Sequence, residues 1–364
     1  MHYIKFLRLP TFDAKSLTVK AKIAVTTDLG DDYFPDELPI QFDLQIEEKN
    51  AIILSQTKQW SAGMRVLAVE LKIPKAKVNH ASNLRLHVLA GPSDFSSQFV
   101  SSDDGTLVTP AVMPVFSEPF TAERVSASKM PYVERVIPLR ENAQLSIWEE
   151  TGDSIARHIW DGSVALSGLI DLASIGRSGI AFLDHVVPLT GIKEKFQVIE
   201  LGAGVGLAGL TLAKVMPRAH VLLTDVPEVQ ALIFKNAAAN SLRNVDFKVN
   251  DWAEPISDSI VSTKWDLILI SECTYNEDSI PDLVSNIRKV MTTSPDATII
   301  VATKQRHENE RLFYDLMKKE HFEIKEHIHA LCPRNFVPGD LEDTDKVDIY
   351  TFWRQLDTAA VQVP

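Results

Sequence analysis

The amino-acid sequence predicts an α/β protein, in which a parallel sheet with helices on both faces follows a small mainly-β domain. From about residue 140 onward, uninterrupted apolar runs alternate with helical stretches, which is typical of strands buried on both faces. Before residue 140, apolar and polar residues alternate with a period of two, which indicates half-buried antiparallel strands. A glycine-rich turn at residues 202–206 follows one of the apolar runs, and parallel sheets bind their ligands at this position.

The composition is that of a globular protein and restricts the classes of partner. The 364 residues suffice for two domains, and the net charge of −12 disfavours a nucleic-acid partner. No run approaches the ~18 apolar residues of a membrane span. Cys273 and Cys332 match neither a metal-ligand spacing nor a disulfide framework, which indicates a reducing compartment. The start of the chain is too charged for a signal peptide, so we expect a cytoplasmic protein, with the nucleus as the alternative.

Residues 1–140 form the predicted mainly-β domain, which is expected to be a sandwich or an open barrel. Residues 17–25, 40–46 and 84–89 alternate apolar and polar positions, and residues 64–73 are rich in strand-forming types. Prolines from Pro110 to Pro138 predict an irregular connection into the second domain, residues 141–364. Residues 1–140 carry no pattern of catalytic residues. We therefore expect an accessory binding domain, with a stabilising appendage as the alternative.

The second domain is predicted to contain a seven-stranded sheet. A separate strand at residues 145–148 and helical spacing at residues 155–172 come before it. The last two strands flank an acidic loop and are predicted to be antiparallel. The sheet strands are predicted at 198–201, 221–224, 245–249, 265–271, 297–303, 322–330 and 347–353, with helices at 207–215, 229–240, 280–291 and 308–320.

The glycine-rich turn has the features of a nucleoside-binding site in a Rossmann-like sheet. Residues 200–206 read Glu-Leu-Gly-Ala-Gly-Val-Gly, ending at Gly206, and Asp225 ends the next apolar run. Glycine permits a tight turn and a close approach of the ligand to the backbone. A carboxylate at the position of Asp225 can accept hydrogen bonds from both ribose hydroxyls. A purely structural glycine loop is the alternative interpretation.

Glu200 favours S-adenosylmethionine over a dinucleotide as the ligand. A dinucleotide site neutralises a pyrophosphate with a helix amino terminus, and a carboxylate two residues before Gly202 opposes this. S-adenosylmethionine instead carries a sulfonium and an ammonium group, which suit an acidic neighbour. The predicted cofactor is therefore S-adenosylmethionine, with S-adenosylhomocysteine as its product, and no metal is expected.

Further candidate residues follow the neighbouring strands at the same edge of the sheet. Glu272 and Tyr275 come just after the fourth strand, where a methyl acceptor would enter. Asp251 is expected to bond the adenine amino group, and Trp252 to cover the base. Trp160, in a predicted helix before the first strand, is expected to wall the methionine end. Core packing is the alternative for the two tryptophans and Tyr275, and a strand-end cap is the alternative for Glu272.

Together these segments resemble family 16 of the class I, seven-strand methyltransferases, which includes the METTL21-like protein-lysine enzymes. The Glu272–Tyr275 segment has the family's Asp/Glu-x-x-Tyr/Phe signature, with Glu where Asp is more usual. Residues 1–140 have no counterpart in the compact members, although fungal members with amino-terminal extensions look similar. The matching features span about residues 145–355 and are Ile159-Trp-Asp161, Glu200 to Gly206, Asp225, Asp251-Trp252 and Glu272 to Tyr275. By position, the resemblance implies cofactor contacts at Trp160, Gly202, Ala203, Gly204, Asp225, Trp252 and Ser271.

The resemblance implies an S-adenosylmethionine-dependent N-methyltransferase that acts on a lysine of a protein substrate. Glu272 is then expected to orient the amine, and Tyr275 to supply an aromatic wall. A small-molecule amine methyltransferase on the same fold is one alternative, and a non-catalytic partner-binding protein that retains the cofactor pocket is another. An acidic loop is expected to attract a basic substrate surface, with a solvated hairpin as the alternative. Its carboxylates are Asp340, Glu342, Asp343 and Asp345.

Overall fold

A computed structural model describes residues 1–49, 51–75, 83–90, 99–101, 105–121, 132–152, 154–189, 195–334 and 344–355. The chain divides into two compact units. The first comprises Met1–Ser101, Val108–Ile159 and Leu331–Asp345, and the second comprises Ser102–Leu107, Trp160–Ala330 and Lys346–Pro364. No helix in these described ranges is long and apolar enough to cross a membrane.

The first unit is built from strands, as the period-two alternation predicted. Up to residue 150 the strands, in residue order, are β1 (His2–Asp13), β2 (Thr18–Thr26), β3 (Leu38–Ile46), β4 (Ala51–Trp60), β5 (Leu67–Lys72), β6 (Leu84–Ala90), β7 (Val100–Ser101), β8 (Leu107–Val108), β9 (Val112–Met113), β10 (Val115–Ser117), β11 (Tyr132–Pro138) and β12 (Gln144–Glu150). Of these, β7 and β8 extend the large nine-stranded sheet that contains the later strands. One sheet has the order β5-β2-β1-β9, and a second has the order β12-β11-β10-β6-β3-β4.

The two sheets of the first unit share one apolar core. On β2, Val19, Ala21 and Ile23 are buried in this core, whereas Lys20 and Lys22 between them are exposed. Residues of β3 and β6 contribute to the same cluster from the second sheet. The alternation therefore arises because one face of each sheet packs inward and the other does not.

The described parts of the proline-punctuated stretch after residue 110 contain the strands β9, β10 and β11, which differs there from the predicted irregular connection. β11 pairs with β12 over its whole length, so the strand predicted at 145–148 belongs to the β domain. Buried Arg135 on β11 bonds the Glu149 carboxylate on β12 and the backbone carbonyl of Pro114. In this part of the chain one compact unit ends at Ile159 and the other begins at Trp160, and the predicted domain boundary at residues 140 and 141 stays a prediction.

The second unit contains the seven predicted strands of the large sheet. They are β13 (Phe196–Leu201), β14 (Ala219–Asp225), β15 (Val245–Val249), β16 (Leu267–Ser271), β17 (Thr298–Thr303), β18 (Phe322–Pro333) and β19 (Thr344–Arg354). Their order is β15-β14-β13-β16-β17-β19-β18. The first five pair in parallel, and β19 runs antiparallel to β17. The strand order changes direction between β13 and β16, which creates a ligand crevice at their carboxyl ends.

Helices cover both faces of this sheet, since every residue of β16 is buried. The helices are α1 (Asp161–Ala173), α2 (Ala181–Val186), α3 (Leu207–Val215), α4 (Gln230–Ala239), α5 (Asp258–Val261), α6 (Ile280–Thr293) and α7 (Arg311–Lys319). α6 buries Ile280, Leu283, Val284 and Ile287, spaced as one helical stripe, against the apolar core of the sheet.

The helix predicted over residues 155–172 begins later than expected. A short 3₁₀ turn covers Ile155–Arg157, and Trp160 is extended (φ −118°, ψ 152°) as the residue that caps α1. The Ser163 hydroxyl donates to the Trp160 carbonyl at 2.7 Å, which fixes this cap. Trp160 therefore lies at the entrance to a helix and not within one, which corrects the prediction.

Candidate active site

The glycine-rich turn after β13 adopts backbone conformations that require glycine. Gly202, Gly204 and Gly206 have φ values of 68°, 56° and 84°, in the left-handed region. A Cβ atom on Gly202 would lie 2.5 Å from Cys273 Sγ and 2.9 Å from the Trp252 ring. At Gly202 the loop thus has neither the conformation nor the space for a side chain, in agreement with the predicted tight turn.

Asp225 fastens this loop to the end of β14. Its Oδ2 accepts a hydrogen bond from the Gly204 amide at 2.7 Å, and its Oδ1 accepts one from the Val226 amide at 2.7 Å. The Ala203 amide also donates to the Thr224 carbonyl at 3.0 Å. Burial raises the pKa of the Asp225 carboxyl, and the two backbone amides oppose that shift. Each carboxylate oxygen retains a further acceptor position that could receive a ribose hydroxyl.

Glu200 is completely buried beneath α3. Its Oε2 accepts a hydrogen bond from the Gly209 amide at 2.9 Å, while its Oε1 has no hydrogen-bond partner among the described residues. Burial raises the pKa of this carboxyl to about 8, so it is mostly neutral at pH 7. The expectation that Glu200 attracts the cationic groups of a cofactor stays a prediction, which a covered and mostly neutral carboxyl does not support.

The segment after β15 places its two candidate residues differently. Trp252 is half-buried, with its ring against Gly202 and the edge of the apolar core, and its Nε1 has no hydrogen-bond partner among the described residues. Asp251 is exposed, and its Oδ1 accepts a hydrogen bond from the Ala253 amide at 3.1 Å. Trp252 thus contacts the glycine loop directly, whereas the Asp251 carboxylate bonds within its own turn.

Glu272 stands at the carboxyl end of β16, directly after buried Ser271. Its backbone has φ 54°, an uncommon conformation for a residue other than glycine. Its Oε1 accepts a hydrogen bond from the Gly162 amide at 2.8 Å, in the first turn of α1. Its Oε2 lies 3.5 Å from the Arg306 guanidinium, and its side chain is only 7% exposed. The carboxylate is therefore held on both sides.

Tyr275 and Cys273 share the loop of Glu272 but lie in contrasting surroundings. Tyr275 is 47% exposed, and partial burial raises the pKa of its hydroxyl. Cys273 is buried, and burial raises the pKa of its thiol, so it stays protonated at neutral pH. The Cys273 thiol donates to the Ser271 carbonyl at 3.2 Å. In this loop the Tyr275 side chain is therefore partly exposed to solvent, whereas the Cys273 thiol packs against the glycine loop at Gly202.

Two basic residues, Lys304 and Arg306, complete the site and were not predicted from the sequence. Arg306 lies with its guanidinium carbon 5.6 Å from the centre of the Trp160 ring. Lys304 Nζ lies 2.9 Å from Oδ2 of the fully buried Asp161. Their signal in the sequence is their position directly after the apolar run of the fifth strand, at the same sheet edge as Glu272.

The predicted acidic entrance loop lies mostly outside the described residues. Asp340, Glu342 and Asp343 fall in the range 335–343, which the structure does not describe. Asp345 accepts a hydrogen bond from Arg334 Nε at 2.8 Å. Attraction of a basic substrate by this loop stays a prediction.

Comparison with known proteins places the chain in a family. Residues 139–320, half of the 364, match the sequence model of a family described as "Lysine methyltransferase". A Schizosaccharomyces pombe protein of the UPF0665 family is 26% identical over 86% of this chain and 91% of its own length. The Saccharomyces cerevisiae "Protein-lysine N-methyltransferase EFM2" is 26% identical over 55% of this chain and 50% of its own length. The Xenopus tropicalis "Protein N-lysine methyltransferase METTL21A" is 24% identical over 55% of this chain and 80% of its own length.

The matched range contains the candidate site from Trp160 to Arg306, including the glycine loop, Asp225 and Glu272. The parallel strands β13 to β17 and the helices between them agree with the fold that the sequence predicts. The chain belongs to the lysine methyltransferase family.

Proposed function

We propose that the protein transfers a methyl group from S-adenosylmethionine to a lysine ε-amine of a protein substrate, with Glu272 and Tyr275 at the acceptor position. One observation carries this assignment of residues. The loop that holds Glu272 also holds Cys273, whose thiol lies against the glycine loop at Gly202. The acceptor residues and the cofactor loop therefore meet at one edge of the sheet, where in-line transfer requires them.

The residues of this edge fit a nucleoside cofactor. The left-handed glycines leave the backbone open to close approach, and Asp225 retains acceptor positions for hydroxyl groups. The buried Trp252 Nε1, which has no partner among the described residues, is a donor that a ligand could satisfy. We assign cofactor binding to Gly202, Gly204, Asp225 and Trp252, together with Trp160. When bound, S-adenosylmethionine supplies a methyl group on a positively charged sulfur.

The chain's own residues must deliver a neutral amine in line with that methyl group. A lysine side chain ordinarily has a pKa of about 10.4, so it arrives as an ammonium. Desolvation at the sheet edge lowers this pKa and favours loss of the proton. The Glu272 carboxylate accepts a hydrogen bond from the amine and so orients the lone pair. The aromatic ring of Tyr275, half-exposed on the same loop, is suited to pack against the aliphatic stem of the lysine.

Calorimetric titration with S-adenosylhomocysteine tests the cofactor site. Asp225→Ala should abolish saturable binding, because it removes the ribose acceptor and the anchor of Gly204. Asp246→Ala is a matched control, because Asp246 ends no strand and pairs with His220 on the exposed side of β14 and β15. This control should bind as the wild type does. An absence of binding by the wild type would contradict the proposal.

Methyl transfer itself is tested with tritiated S-adenosylmethionine and a lysate of cells that lack this enzyme. The expected result is label on one or a few proteins, with methyl-lysine identified by mass spectrometry. Label confined to the small-molecule fraction would support the alternative of a small amine as acceptor.

A further inference from the structure

Arg306 and Glu272 form an ion pair that is almost excluded from solvent. The Arg306 Nη2 and the Glu272 Oε2 are 3.5 Å apart, and their side chains are 12% and 7% exposed. Lys304 lies two residues earlier and is 2.9 Å from the buried Asp161 carboxylate. Lys304 and Asp161 thus form one ion pair, and Arg306 and Glu272 form a second.

Arg306 is held in this position from two sides. Its guanidinium lies over the Trp160 ring at 5.6 Å from the ring centre. Its backbone amide donates a hydrogen bond to the Glu310 carboxylate at 2.7 Å. The other oxygen of Glu310 accepts a hydrogen bond from the Thr274 hydroxyl at 3.2 Å, on the loop of Glu272. Buried Glu310 therefore ties together the two loops that carry the ion pair.

An unpaired Glu272 carboxylate would hinder the proposed reaction. An amine next to a carboxylate is stabilised as an ammonium, since an opposite charge within ~4–6 Å raises an amine's pKa by about 1–3 units. An ammonium has no lone pair to attack a methyl group. A guanidinium in contact with the carboxylate cancels most of this effect and leaves the oxygen lone pairs available.

We propose that Arg306 is a charge-balancing and positioning residue: it neutralises Glu272, so that the acceptor lysine meets an oriented hydrogen-bond acceptor without a net negative charge. This inference rests on the proposed methyl transfer to lysine. Arg306 acts through Glu272 and does not itself touch the reacting atoms.

Among the described residues, other charged and titratable groups lie around this pair. They are Asp161 from α1, Lys304 and Glu310 after β17, and Cys273 and Tyr275 after β16, with Asp225 acting on the last two. Comparison of Arg306→Gln with Arg306→Lys therefore tests the charge of Arg306 while these side chains stay in place.

The test is the pH dependence of the initial rate at saturating S-adenosylmethionine, with the lysate proteins described above as acceptors. In Arg306→Gln the rising limb of the profile should move to higher pH by about one unit or more, because the amine then faces an unbalanced carboxylate. Arg306→Lys keeps the charge and should retain the wild-type limb. Glu310→Gln keeps Arg306 and should lower the rate without moving the limb. An unshifted limb in Arg306→Gln would overturn the inference.

A thermal-unfolding cycle tests the pair without an acceptor. Introduced into the wild type, Arg306→Gln should lower the Tm. Introduced into the Glu272→Gln variant it should lower the Tm by less, because the charge of Glu272 is already absent there. Equal Tm changes in the two backgrounds would also overturn the inference.

If the wild type transfers no methyl group, the proposed function fails and this inference fails with it. If the wild type is active and only the shift is missing, the inference alone fails.

Discussion

Two glutamates at the carboxyl ends of sheet strands each accept a hydrogen bond from the first turn of a helix, but the charges of their carboxyl groups differ. Glu200 accepts a hydrogen bond from the Gly209 amide in the first turn of α3, and Glu272 accepts one from the Gly162 amide in the first turn of α1. In both cases the partner is a glycine whose Cβ would collide with the carboxylate. The first turn of a helix offers unpaired amides, so each glutamate satisfies one of them.

The two sites differ in the second oxygen of the carboxylate. The Oε1 of Glu200 has no partner among the described residues, and burial raises the pKa of that carboxyl to about 8. The Oε2 of Glu272 faces the Arg306 guanidinium. A buried carboxylate keeps its charge only when a cation or several donors compensate the lost hydration. Glu200 is therefore a neutral structural cap, whereas Glu272 is a charged group that can serve a reaction.

The largest expected effect separates the two glutamates by activity. Glu272→Gln should reduce kcat/KM for methyl transfer by about 100-fold, since it misorients the acceptor amine and leaves the Arg306 charge unbalanced by Glu272. Glu200→Gln should change it by less than about 3-fold at pH 7, because a carboxyl with a pKa of about 8 is already mostly neutral. Initial rates with tritiated S-adenosylmethionine measure both.

Both variants need a check of folding, which circular dichroism and Tm provide. Equal losses of activity in well-folded Glu200→Gln and Glu272→Gln would contradict the distinction between a structural and a reactive glutamate.

Substitution of Gly209 and of Gly162 by alanine should change the free energy of unfolding by different amounts. A Cβ on Gly209 would meet the Leu223 side chain and lie 2.5 Å from Glu200 Oε2, inside a closed core. Gly209→Ala should therefore destabilise the protein by ~1–3 kcal/mol, as overpacking does. A Cβ on Gly162 would lie 2.7 Å from Glu272 Cγ and Oε1, so the Glu272 side chain must leave its position between the Gly162 amide and Arg306. Gly162→Ala should destabilise the protein less than Gly209→Ala, because it displaces one side chain at the sheet edge, and it should reduce activity by about 10-fold.

Denaturant unfolding and initial rates distinguish these outcomes, and each glycine variant is the matched control of the other. A stable, fully active Gly162→Ala would show that the hydrogen bond to Glu272 is dispensable.

A further effect concerns the pH dependence of stability. The folded protein keeps the Glu200 proton up to a pKa of about 8, whereas the unfolded chain releases it near the ordinary value of 4.5. The folded state thus binds more protons between these values, so the contribution of Glu200 to stability is complete below about pH 4.5. It is lost progressively as the pH rises towards 8. Glu200→Gln should lose less stability than the wild type over this range, as Tm measurements at several pH values would show. Parallel curves would contradict the neutral state of Glu200.

The proposed cofactor side of the site follows closely from local sequence. Gly202 to Gly206 and Asp225 could be recognised because each sits directly after an apolar run, and the carboxyl ends of parallel strands share one edge. Glu272 was found for the same reason. The charge state of Glu200 could not be predicted in this way, because it depends on burial beneath α3 and on the absence of a cation among its described neighbours.

The acceptor side depends on contacts between distant parts of the chain. Gly162 and Glu272 are 110 residues apart, and neither position alone indicates that one caps the other. Arg306 follows a strand as Glu272 does, but only the adjacency of β16 and β17 brings the two side chains together. Likewise, β12 resembled the start of the second domain until its pairing with β11 assigned it to the first.

By itself the sequence determined the alternation of strands and helices, the glycine loop and the identity of the groups at the strand ends. These features depend on local periodicity and on the allowed conformations of single residues. Only the tertiary structure decided which carboxylate carries a charge, which cation balances it and where the two units divide. Those outcomes depend on burial and on pairing across the chain, because the energy of a charge is set by what surrounds it in space.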